Sequence, residues 1–291
     1  MKKVILTEEQ VRYLMNEDLG IAKEVVKLTN IIEKDIYTLL EKNIKEKKFR
    51  VATEMSDLYV DFMFKYFNST DEFYVWHSKT HRNNGYSFEE NTLYLTVLQF
   101  GNKIDYYDLT DTIQHECSHY WECKMKNKPI STDRYQDIIK GMSNNNPIVA
   151  YLCKILYYCN KNEINSFVNG AYASAIKKKK EYKTYKDFIY DNLISDLYST
   201  LKNSYNNISK YNSQNTLFIT ACWYLINHNI IKNYENFDKT KKYFQTVSKN
   251  GFKYLIRKVG MAYSLYIAKM EEEREKERDW KFKEILRQNG L

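Results

Sequence analysis

The sequence predicts a mainly α protein of the α+β kind: a core in which a small antiparallel sheet packs on one helix, surrounded by further helices. Three observations lead there. Only two prolines and eight glycines occur in 291 residues, so few breakers interrupt a chain rich in Lys, Leu and Ile. From about Ile21 to Lys47 apolar residues recur at intervals of three and four. One stretch, roughly 72–100, instead turns aromatic and β-branched and alternates.

The elements follow in order. Thr7 with Gln10 fits a capping box opening a first helix. Val25, Leu28, Ile32, Ile36, Leu39 and Leu40 trace one face of a second, from about Ile21 to Lys47. A third is expected over roughly Ala52 to Tyr66. Then "EFYVWHS" and "NTLYLTVLQF", with the turn signal "NNG" at Asn83 to Gly85, read as strands of the small antiparallel sheet. In the latter, Leu93, Leu95 and Val97 alternate with Tyr94, Thr96 and Leu98.

Helices resume with "DTIQHECSHYWECK", capped by Asp108 or Thr110. "TDRYQDIIKGMS" is short. Pro147 suits the first turn of "NPIVAYLCKILYYC". Asn162 is the expected cap of "EINSFVNGAYASAIKKK". "YKDFIYDNLISDLYSTL", "QNTLFITACWYLINH", "DKTKKYFQTVSK" and a long last helix complete the chain. Its tail "EEEREKERDWKFKEIL" mixes signs like a solvated face. No internal repeat or Pro/Gly/Ser-rich linker marks a boundary. The chain divides into an N-terminal helical region, 1–70, a core, 71–180, and a C-terminal helical region, 181–291, expected to form one compact unit.

Composition bounds the function. No run of 18 apolar residues appears, so no membrane span is expected. The apolar run at the start, Val4 to Leu6, is too short for a signal peptide, which points to a cytoplasm or a particle assembled there. An odd count of five cysteines without a C-x-x-C pair points to reduced, buried thiols. The net charge of +8 is carried by lysine, with only eight arginines. Readers of nucleic acid lean on arginine, so this charge argues against a nucleic-acid role. The sharpest basic run, Lys177 to Lys180, reads as a helix C-terminus that welcomes cations.

The chemistry lies in "HECSH". Residues four apart share a helix face, so His115 and His119 can point at one ion. Glu116 faces the same cleft, where it can take a proton from a water without ligating the metal. A catalytic zinc needs a third protein ligand and an open position. The single-helix extension to a third histidine fails, because Glu122 stands where its glycine would be and Met125 where the histidine would be. Glu163, in the first turn of a later helix, is the leading third ligand, and Ser166 would let that helix come close. His228, Asp133, Asp137 and Glu122 are its rivals. His228, Tyr157 and Tyr172 are candidate donors to an oxyanion, with His228 retained as a catalytic candidate. His77 and His81 read as loop residues.

"HECSH" followed by a helical "NEINS" resembles the gluzincin branch of zinc metallopeptidases. It is also similar to phage-encoded metallopeptidase-like proteins. The resemblance covers roughly Thr92 to Ala175. It implies His115, His119 and Glu163 as ligands of one Zn2+, Glu116 as general base, and a peptide or protein substrate bound by β-addition along Leu93 to Phe100. Two departures stand out. The gap from His119 to Glu163 is long, so an extra helix must loop out between them. Asn165, Ser166 and Asn169 occupy the region where the family has a histidine-orienting aspartate. Two other readings compete: a non-enzymatic virion or interaction protein retaining this fold, and a nucleic-acid-binding module using the lysine surface.

Overall fold

The computed structural model describes residues 23–67, 84–100, 106–127, 129, 133–192, 194–232 and 236–288. The expected helix at Thr7, the strand "EFYVWHS" and both His77 and His81 lie outside them. Nine helices and four strands occur among the described residues. The protein is mainly helical with a small sheet, as the sequence predicts. No helix among them is long and apolar enough to cross a membrane.

Helix α1 (Lys23–Glu41) buries Val25, Leu28, Ile32, Ile36 and Leu39, one turn apart along one face. It ends before Lys47. The chain then enters β1 (Glu46–Ala52) and β2 (Asp57–Phe67), where a third helix is expected. The reason is a period of two: Leu58, Val60 and Phe62 are fully buried while Tyr59 is 43% exposed. With β3 (Gly85–Ser87) and β4 (Thr92–Phe100), these strands form a sheet in the order β1-β2-β4-β3.

The sheet is mixed rather than antiparallel. β1 pairs antiparallel with β2 and β3 antiparallel with β4, but β2 runs parallel to β4, Phe62 opposite Leu95. β2 and β4 are consecutive in neither sequence nor hairpin, and a parallel pair needs a long crossover between its strands. β2, before residue 70, thus pairs directly with β4, after it. Leu93, Leu95 and Val97 point into the core, as their alternation predicts.

Helix α2 (Tyr106–Lys126) carries the "HECSH" segment. It starts ahead of Asp108 and Thr110, so neither is its cap. Ile113, Cys117 and Tyr120 pack with α1 and the buried face of the sheet in one apolar cluster. His115 and His119 lie two residues, roughly 200° of rotation, from Ile113 and Cys117, so they look away from the sheet.

The remaining helices cover that other side. They are α3 (Asp133–Met142), α4 (Pro147–Tyr158), α5 (Lys161–Lys178), α6 (Tyr185–Tyr190), α7 (Ile194–Ser209), α8 (Thr216–Asn227) and α9 (Phe237–Gln288). Asn146 caps α4 ahead of Pro147. The cap of α5 is Asn160, not Asn162, because its side chain accepts from the Asn162 N–H. "YKDFIYDNLISDLYSTL" divides into α6 and α7.

Conversely, two expected C-terminal helices are one, α9, of 52 residues and about 78 Å. It runs through Asn250–Gly251 without a break. A Cβ at Gly251 would stand 2.5 Å from Cys159 Sγ, so the glycine serves the crossing with the end of α4 rather than a turn. One apolar cluster joins α5, α6, α7 and α9, and another joins α3, α4, α8 and α9.

All five cysteines are free thiols, four of them buried, as their count and spacing predict. The basic run is tied down within the chain. Lys177 pairs with Glu33, Lys178 and Lys180 with Asp191, and Lys179 with Glu273.

Candidate metal centre

The site forms where α2 lies against α5. Close approach comes from Gly170, whose Cβ, if it had one, would sit 2.7 Å from the Asp111 backbone oxygen and collide with the Asp111 carboxylate. Ser166, buried in the same interface, adds little bulk. Three side chains meet there. His119 Nε2 lies 3.1 Å from His115 Nε2 and 3.4 Å from Glu163 Oε1; His115 Nε2 lies 3.6 Å from Glu163 Oε2. Among the described residues, these three are the group whose ligand atoms converge as a metal requires.

The spacing fits a zinc ion. Ligands about 2.0–2.1 Å from a tetrahedral centre stand about 3.3–3.4 Å from one another. With each histidine measured to its nearer Glu163 oxygen, the three separations bracket that edge. The donor set, two imidazoles and a carboxylate, is that of a catalytic zinc with a position left over. Burial supports the same reading. Glu163 is fully buried, yet its Oε2 has no hydrogen-bond partner among the described residues. Such groups are costly to bury unless something pairs with them. The two Nδ1 atoms are also buried and unpartnered among the described residues. Among the described residues, neither histidine is therefore oriented by an aspartate, consistent with Asn165 and Asn169 on the facing helix. Asn165 instead accepts a hydrogen bond from the Tyr254 hydroxyl at 2.9 Å.

Electrostatics divide the cluster. Burial, reinforced by neighbouring His119, pulls His115 down to about 3, so it is a neutral imidazole. For His119, burial acts downward, but the facing Glu163 carboxylate outweighs it and lifts the group to about 9. Burial would raise Glu163; the His119 charge and hydrogen bond outweigh it and hold the carboxylate at about 2. The two opposite shifts, with the groups 3.4 Å apart, favour a His119–Glu163 ion pair. Glu116, buried beside them, is lifted to about 7 by burial and by the Glu163 charge, near where a proton carrier is most effective.

A cavity of about 170 Å³ opens onto His115, Glu116 and His119. Its walls include Tyr86, Phe88, Ile139 and Tyr157. The strand beside the site is β3, at the sheet edge, rather than β4, whose first residues β3 covers. Gly85 and Tyr86 of β3 line the cavity.

Of the candidate residues, the structure brings together His115, Glu116, His119 and Glu163, with Tyr157 on the cavity wall. Four others are elsewhere. His228 caps the end of α8, exposed, its ring stacked on Tyr224 at 4.2 Å, and it does not line the cavity. Tyr172 does not line it either. Glu122 pairs with Lys126, and Asp137 lies 3.7 Å from Lys140. The side chain of Asp133 lies outside the described set.

One residue escaped the sequence. Tyr135, on α3, lines the cavity and donates a hydrogen bond to Glu163 Oε1. Its ring leans on Tyr157 with centroids 5.9 Å apart. Nothing in "TDRYQDIIK" marks it among 27 tyrosines. Burial and the Glu163 charge push both hydroxyl pKa values far up, so both remain donors.

No family model, curated protein or solved structure matches the chain.

Proposed function

We propose that this protein is a zinc-dependent metallopeptidase of the gluzincin kind. The observation that carries the reading is the convergence of His115, His119 and Glu163 at 3.1–3.6 Å, with Glu116 and an open cavity beside them.

His115, His119 and Glu163 would hold the ion. Zinc supplies Lewis acidity when bound, polarising a carbonyl and making a water acidic near neutral pH. The chain's own groups do the rest. Glu116 accepts the water's proton on its carboxylate and delivers it to the departing amine. Its elevation to about 7 suits both halves of that relay. Tyr157, a protonated hydroxyl on the cavity wall, is positioned to donate to a developing oxyanion in the role foreseen for His228. The edge of β3 offers backbone groups to an extended peptide beside the site. The substrate class is therefore peptide or protein.

Metal content tests the centre. Untagged protein is expected to hold about one zinc per chain by mass spectrometry, lost in both His119→Ala and Glu163→Ala. Glu116→Gln tests the chemistry. It should keep its zinc and lose peptide cleavage by about 10²–10⁴-fold. Full cleavage in zinc-loaded Glu116→Gln would sink the reading.

A further inference from the structure

The two oxygens of Glu163 have different surroundings. Oε1 faces His119 and accepts the hydrogen bond from Tyr135. Oε2 faces His115, is buried, and has no hydrogen-bond partner among the described residues. Tyr135 comes from α3, within the segment that lengthens the gap between His119 and Glu163. That segment is firmly seated: neighbouring Arg134 donates its Nε hydrogen to the Ile230 carbonyl at 2.7 Å. The helix that reads in sequence as an insertion thus delivers a hydroxyl to one particular carboxylate oxygen.

A ligating carboxylate can use one oxygen or both. Using both fills a coordination position that a catalytic centre needs for water. A hydrogen bond to one oxygen draws on its lone pairs and fixes the plane of the group, which favours ligation through the other. We infer, on the strength of the metal-centre reading, that Tyr135 is a positioning residue that holds Glu163 to ligation through Oε2 alone. One coordination position is thereby kept open. Tyr135 acts through Glu163 and needs no contact with the ion.

The test compares untagged wild type with Tyr135→Phe, each stripped and reloaded with zinc or with cobalt(II). Zinc affinity is read by chelator competition and coordination number by the visible absorption of the cobalt form. Tyr135→Phe is expected to weaken zinc binding about 10–100-fold. Its cobalt band should lose intensity, as five-coordinate cobalt absorbs more weakly than four-coordinate. Tyr135→His, which keeps a donor at this position, should recover part of both. Zinc affinity within twofold of wild type together with an unchanged cobalt spectrum in Tyr135→Phe would overturn the inference and leave the metal centre standing. A wild type that takes up neither metal would remove the centre and this role together. A thermal melt of each variant shows that it is folded; only the hydroxyl of a half-buried ring is deleted.

Discussion

The interface between α2 and α5 is polar at both ends, and the two ends handle buried charge in opposite ways. At the far end, Lys177 bonds the Glu33 carboxylate, the Tyr37 hydroxyl at 2.7 Å and Thr110 Oγ1 at 3.2 Å. Thr110 and Tyr37 both donate to Glu33 as well. The cluster closes on itself and ties α1, α2 and α5 together. At the near end, His115, His119 and Glu163 converge just as tightly. There, Glu163 Oε2 and both Nδ1 atoms have no hydrogen-bond partner among the described residues, and a cavity adjoins them. A closed polar cluster is a structural device. A converging cluster with unpartnered atoms is what the proposed metal centre requires.

Zinc addition separates the two ends most strongly. Free zinc at about a thousand times its dissociation constant should stabilise the folded protein by about 4 kcal/mol. A melting temperature unmoved by zinc, read by calorimetry against a chelator control, would make both clusters structural. The converse change is Lys177→Met, which leaves Glu33 with two hydroxyls and no cation. Stability should fall by about 1–3 kcal/mol in a denaturant titration while zinc content is unchanged. Zinc loss in this variant would mean that the ends are not independent.

Gly170→Ala probes what lies between them. Forcing α5 away from Asp111 should cost about 1–3 kcal/mol and weaken zinc binding, because Glu163 rides on the same helix. Unaltered zinc affinity would show that the approach at Gly170 does not set the ligand spacing.

The smallest effect is a proton. His119 is raised to about 9 in the metal-free protein. A raised histidine stabilises the fold fully below its unfolded value, about 6.5, and this contribution fades as pH rises through 9. A bound ion requires the neutral form. Zinc binding at pH 7 should therefore release close to one proton, and affinity should climb about tenfold per pH unit toward 9. Titration calorimetry in buffers of different ionisation enthalpy measures the release, and a value near zero would contradict the ion pair.

How far the site could be read in the sequence depended on distance along the chain. His115 and His119 are set by the helix period alone, and Glu116 comes with them. Glu163 could be singled out because a first-turn acid on a helix with small residues is a recognisable local pattern. β2 was also readable, since Leu58, Val60 and Phe62 alternate, although a helix is expected there. Tyr135 carried no signal. Its hydrogen bond to Glu163 exists only because α3 folds back between His119 and Glu163, 44 residues apart.

By itself, then, the sequence determined a mainly helical chain and a pair of histidines one turn apart with a glutamate between them. Helical geometry relates residues four apart without help from the rest of the molecule. The tertiary structure decided which distant acid joins them, which hydroxyl holds it, and that β3 rather than β4 lies beside the cavity. It also paired the basic run with Glu33, Asp191 and Glu273, while Lys179 and Lys180 stay exposed. Each of those outcomes depends on how closely two helices or strands approach. That distance is set by packing at points such as Gly170 and Gly251, which no local periodicity encodes.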